Sequence, residues 1–109
     1  MISSELKGRK QDFELVDGSN VVGSSLLCNI RLKHASIDEV HMILRYFKDD
    51  QKVMVFDNES ERGSFKIEGV NQKVALKSKQ TFEYDLSEHE NGVVLFIGEA
   101  KLTLTGAAA

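Results

Sequence analysis

The sequence predicts an all-β domain, a two-sheet β-sandwich of about ten to eleven short strands in antiparallel or mixed order. Three observations carry that prediction. Apolar residues recur at alternate positions or in short solid runs. No window of about ten residues holds a 3.6-residue period. Turn-forming pairs such as Asp17-Gly18 and Asn91-Gly92 separate the runs. The 109 residues suit one domain, 1–109, with a core over about 11–105.

Taken in order, FELV (13–16) and NVVG (20–23) flank Asp17-Gly18 and predict a hairpin. CNIRL (28–32) alternates as a short strand. HMILRYF (41–47) and VMVFD (53–57) flank the polar turn KDDQ and form the central hairpin. SFKI (64–67), KVAL (73–76) and TFEYDL (81–86) follow, the last with Phe82, Tyr84 and Leu86 on one face. VVLFIG (93–98) is a solid apolar run of the kind buried between two sheets, and AKLTLT closes the domain by alternation. No proline, fixed-period repeat or low-complexity segment marks a linker or a second module. The terminal TGAAA is left out of the fold.

Charge narrows the partners. Lys and Arg total 14 against 17 Asp and Glu, a net charge of −3, which removes the electrostatic footprint of direct nucleic-acid binding. The apolar runs fall well short of the roughly 20 residues that span a bilayer, and MISSELKGRK lacks a signal peptide's apolar centre. These features point to an intracellular protein with no membrane partner. The single Cys28 cannot close an internal disulfide and reads as a small buried hydrophobe.

The residues offer little for catalysis. Asp38 and Glu39 are adjacent, so in extended chain they point to opposite sides and make a poor two-carboxylate pair. Cys28 with His34 or His41 lacks a nucleophile's flanking motif. His89 in DLSEHEN has no second His or Cys at ligand spacing. The expectation is no enzyme, no metal and no cofactor. KGRK and KVALKSK read as solvated faces and edge-strand protection.

VVGSSLLCNIRL, then IDEVHMIL, then DNESERGSF carry a more specific signal through their order and spacing. They resemble the forkhead-associated (FHA) domain, a β-sandwich family that binds phosphothreonine peptides. Its members read Gly-Arg, Cys-Asp-Ile-x-Leu, Val-Ser-Arg-x-His-Ala-x-Ile and Asp-Leu-x-Ser-x-Asn-Gly-Thr-Phe. GVVLFIGEAKLTL is similar to the family's final pair of strands. The resemblance implies that Gly23 is the turn glycine, that His41 braces the loop, and that Gly63 and Ser64 with Phe65 form the Gly-Thr-Phe turn.

The same resemblance implies a degenerate phosphopeptide site. Ser24 stands where the family has a phosphate-holding Arg, Asp38 replaces the hydroxyl donor, Glu39 replaces the following Arg, and Arg62 replaces the peptide-binding Asn. A phosphothreonine carries about −1.5 to −2 charge and needs donors aimed at its oxygens, and ionised carboxylates donate none. Arg62 either pairs with Glu39 across the loops or receives a phosphate in a rearranged geometry.

The family pattern also turns Met42, Leu44 and Tyr46 to the core with Val53 and Val55. Ile43, Arg45, Phe47, Met54 and Phe56 then face outward, with Arg45 opposite Met54 and Ile43 opposite Phe56. Either that patch is a protein interface, as in a twofold homodimer, or other parts of the chain cover it. The sequence reading is a divergent FHA domain that mediates homodimerisation of a larger scaffold protein and lacks ordinary phosphothreonine binding. The alternative is a phosphopeptide reader built on Arg62. Within the family the chain resembles the mediator-of-DNA-damage-checkpoint type, which implies a nuclear role in the DNA damage response.

Overall fold

ISSEL and RKQDF open the chain as a hairpin, β1 (Ile2–Leu6) and β2 (Arg9–Phe13). Its turn places Lys7 at φ 49° and Gly8 at φ 79°, the paired positive values of a two-residue hairpin connection. The computed structural model describes residues 1–58, 60, 63–68, 72–76, 81–89 and 91–106. After the hairpin come β3 (Gly18–Gly23), β4 (Ile30–Arg31), β5 (Met42–Phe47), β6 (Lys52–Asp57), β7 (Ser64–Glu68), β8 (Gln72–Ala75) and β9 (Thr81–Asp85). A 3₁₀ turn (Leu86–Glu88), β10 (Val93–Ile97) and β11 (Ala100–Leu104) finish the domain.

The strands form two sheets, β2-β1-β11-β10-β7-β8 and β4-β3-β5-β6-β9. β3 and β4 are parallel, so the second sheet is mixed. The inner faces meet in one core, with Ile2, Leu95, Ile97, Leu102 and Leu104 from the first sheet. Val22, Met42, Leu44, Tyr46, Val53 and Val55 come from the second. The inward set expected on the central hairpin is therefore buried. Its register pairs Arg45 with Met54 and Ile43 with Phe56, as the polar turn requires.

Four expected elements differ. Phe13–Val16 and Asn20–Gly23 do not pair with each other. Phe13 pairs with Ile2 in the first sheet, and β3 pairs with β4 and β5 in the second, so residues 14–17 cross between sheets. The buried Asn20 holds that corner: its Oδ1 accepts from Val16 N (2.8 Å), and its Nδ2 donates to Val16 O (2.9 Å) and Leu44 O (3.2 Å). CNIRL contributes only Ile30 and Arg31 to a ladder. Cys28 N closes a turn on Ser25 O, and Asn29 Oδ1 takes the Val21 N–H that a longer strand would have paired. Leu86 leaves its strand because Asp85 caps the 3₁₀ turn, accepting from Ser87 N. VVLFIG is buried on one face only. Val94 and Phe96 face outward and are half-buried, with Lys73 Nζ 4.0 Å from the Phe96 ring centre.

Candidate functional site

Three segments meet at the end of the second sheet: residues 24–29 after β3, 32–41 before β5, and Asn58, Ser60 and Gly63 after β6. Gly23 sets their spacing. A Cβ at this position would lie 2.1 Å from Glu39 O, so only glycine lets the loop backbone pass. The approach is fixed by Ser24 N donating to Asp38 O (2.9 Å) and Ser25 N to Glu39 O (3.1 Å). His41 N closes the pairing on Val22 O (2.9 Å).

His41 is fully buried and ties the second loop to the third. Its Nδ1 accepts from Asp38 N (3.1 Å), so its Nε2 carries the proton and donates to Gly63 O (2.9 Å). Both ring nitrogens are thereby used in bracing. Asp57 is a second hub, and it was missed in the sequence. Buried at the end of β6, it accepts from Ser64 Oγ (2.5 Å), Ser60 Oγ (2.6 Å) and Ser60 N (3.1 Å). Asn58 then clasps the neighbouring loop, with its N bonded to His41 O and its Nδ2 to Val40 O. The available signal was an Asp followed three residues later by Ser, the pattern of a side chain that closes its own turn.

The β10–β11 turn supports the same loop from behind. Glu99 N donates to Ser36 Oγ (3.0 Å), and His34 Nε2 lies 3.2 Å from the Glu99 carboxylate. Cys28 Sγ donates to Glu39 O (3.1 Å), and burial pushes its thiol pKa up. That is the chemistry of a structural thiol. Among the described residues, no three His, Cys, Asp or Glu side chains group as a metal would require.

Above this floor lies the rim. Ser24 and Asp38 are half-buried and Glu39 is exposed, so two acidic residues stand at the surface of the loops. Arg31 Nε donates to Ser24 O (3.1 Å), which draws that guanidinium against the backbone under the rim. Arg62, the cation expected beside Glu39, lies outside the described residues. The structure thus brings Ser24, Asp38, Glu39, His41, Gly63 and Ser64 to one loop cluster. A phosphate there would meet carboxylates. One like-charged pair about 4 Å apart costs roughly 4 kcal/mol at an effective dielectric of 20.

The candidate interface is a separate place, on the outer face of the second sheet. Rows run Val21, Ile43, Phe56, Thr81 and Ser19, Arg45, Met54, Glu83 across β3, β5, β6 and β9. Ile43, Met54 and Phe56 are half-buried around a shallow hollow of about 250 Å³, with Arg45 exposed beside it. Phe47 lies two positions along, opposite Lys52, and is 38% exposed. Lys52 pairs with Glu83 (3.8 Å), so charges of both signs rim the apolar centre. Sequence reasoning missed Val21 and Thr81, because their place depends on strand order.

The FHA domain family model matches residues 20–83. No curated protein matches the chain. Among solved structures, an FHA domain studied for phosphothreonine-dependent interactions is 21% identical, with 99% of this chain and 98% of that one covered at a TM-score of 0.69. The FHA domain of the CT664 protein from Chlamydia trachomatis is 19% identical, with 98% and 96% covered at a TM-score of 0.68. The MEK1 FHA domain in complex with a HOP1 phosphothreonine peptide is 18% identical, with 98% and 97% covered at a TM-score of 0.68.

Proposed function

Because the chain belongs to the FHA domain family, a family of phosphopeptide-binding interaction modules and not of enzymes, we propose that it joins proteins without reading phosphothreonine at its loop apex. The outer face of β5 and β6 then carries homodimerisation of a larger scaffold protein. One observation supports this most: the rim holds Asp38 and Glu39, two acceptors, where a phosphate needs donors. Repulsion and the absence of donation act in the same direction. Only the scaffold beneath keeps the chemistry that the family pattern implies.

The outer face supports the second half of the reading. Ile43, Met54 and Phe56 form an apolar centre with Arg45 at its edge and an acid and a base beside it, which is the anatomy of an interface. A twofold axis through such a face sets the patch against itself. A nuclear role in the DNA damage response rests on the resemblance to the checkpoint-mediator type alone.

Sedimentation across protein concentration tests the dimer. The expected result is a concentration-dependent dimer that Ile43→Glu or Met54→Glu converts to monomer. A strict monomer at high concentration removes the homodimer, and a dimer indifferent to both substitutions moves the interface elsewhere. Micromolar phosphothreonine binding that is lost on Arg62→Ala overturns the rest.

A further inference from the structure

The sandwich has two open sides, and they are treated differently. On one side β7, the strand inside edge strand β8, lies across from β9, the outer strand of the second sheet. Lys66 pairs with the inward-facing Leu95, so it points between the sheets, and its Nζ rests 4.0 Å from the Phe82 ring centre. That cation is packed into the fold. On the other side β2 faces β4. Arg9 and Gln11 pair with Leu6 and Ser4, which sit on the inner face, yet both are exposed. Polar side chains thus occupy core-facing positions.

The result is a groove of about 350 Å³ between the sheets, lined by Ser4, Arg9 and Gln11 on one wall and Arg31 and Lys33 on the other. Its lining contains three cations and no acid. None of the ion pairs among the described residues involves Arg9, Arg31 or Lys33. This concentration of positive charge sits in a chain of net charge −3. An inward charge on an edge strand guards against edge-to-edge pairing. Arg9 alone would serve that end and Arg31 is tied by its Nε to Ser24 O, which still gives no reason for Lys33 on the facing wall.

We propose that this groove is a second binding site, apart from the loop apex though joined to it through Arg31, which takes an acidic peptide segment of a partner protein, phosphorylated or rich in Asp and Glu. Arg9, Arg31 and Lys33 supply charge-assisted donors, and Ser4 and Gln11 add neutral polar atoms. The edges of β2 and β4 offer backbone groups to an extended segment laid along them. A narrow groove in an acidic protein suits a peptide over a nucleic acid or an anionic membrane, whose long-range attraction needs a broad basic surface.

Fluorescence anisotropy tests it with a labelled Asp-Asp-phosphoserine-Asp-Glu-Glu peptide, its unphosphorylated form and a Gly-Ser peptide. Both acidic peptides bind and the neutral one does not, their ranking identifying phosphate or carboxylate as the preferred anion. Arg9→Ser and Lys33→Ser each weaken binding by about tenfold. Both side chains are exposed, so the fold survives. Lys10→Ser and Lys101→Ser, which line a different hollow, change it by less than about twofold. The proposal is overturned if neither acidic peptide binds, if the Arg9→Ser/Lys33→Ser double variant binds like the parent, or if Lys10→Ser weakens binding as much as Arg9→Ser. Arg9-dependent binding to duplex DNA or anionic vesicles with no peptide binding overturns it equally.

Discussion

At the loop apex, Gly23, His41 and Asp57 form a buried floor, whereas Ser24, Asp38 and Glu39 form a rim at the half-buried to exposed surface. The two layers are neighbours in the chain and are constrained by different things. A change in the floor strands a buried donor or acceptor, or drives atoms into a backbone, so the fold penalises it directly. A change in the rim strands no fully buried group, so its main effect is on what approaches from outside. The charge-reversed rim proposed above is therefore compatible with a floor that follows the family pattern.

Substitutions should separate the layers by size of effect. Gly23→Ala drives a Cβ to 2.1 Å from Glu39 O, and urea unfolding should report a loss of roughly 3 kcal/mol or more. His41→Ala leaves Asp38 N–H and Gly63 C=O without their partner, at a cost of about 2 to 3 kcal/mol in the same measurement. Asp57→Ala releases Ser60 and Ser64 together, for roughly 2 kcal/mol. Ser24→Arg, Asp38→Ser and Glu39→Arg combined should move stability by no more than about 0.5 kcal/mol. A large loss from that rim variant would end the distinction between the layers.

The smallest effect lies away from the apex and gives a reference for exposed carboxylates. Hydrogen bonds from the Ser87 hydroxyl and N–H hold Asp85 below the ordinary carboxylate value of 3.8. A depressed folded pKa means that the stability it adds is present above the unfolded value and lost as pH falls through the folded one. Melting curves between neutral pH and pH 2 should show this small acid-side loss reduced in Ser87→Ala.

The same contrast explains what was legible in the sequence. The central hairpin could be read to its register, because the family pattern turns Met42, Leu44 and Tyr46 inward and the four-residue turn fixes the pairing. The N-terminal hairpin was hidden, since RKQDF is polar on both faces and carries no alternation. The Asp17-Gly18 hairpin was misread because Gly18 does take φ +100°, but within a crossing between sheets held by Asn20. At the apex, spacing revealed Gly23 and His41. Asp57 was missed because its role depends on which loops meet. Arg9 and Arg31 face one groove only through the pairing of β2 with β1 and the place of β4 at its sheet edge, neither of which periodicity reports.

Calorimetric titration of a degenerate phosphothreonine peptide library tests the division of the apex most directly, run on the parent chain and on the Ser24→Arg/Asp38→Ser/Glu39→Arg variant. The account predicts no binding by the parent up to about 1 mM peptide and measurable binding by the variant, whose rim again carries donors above an unchanged floor. Micromolar binding by the parent, lost when Asp38 or Glu39 is replaced, would contradict it.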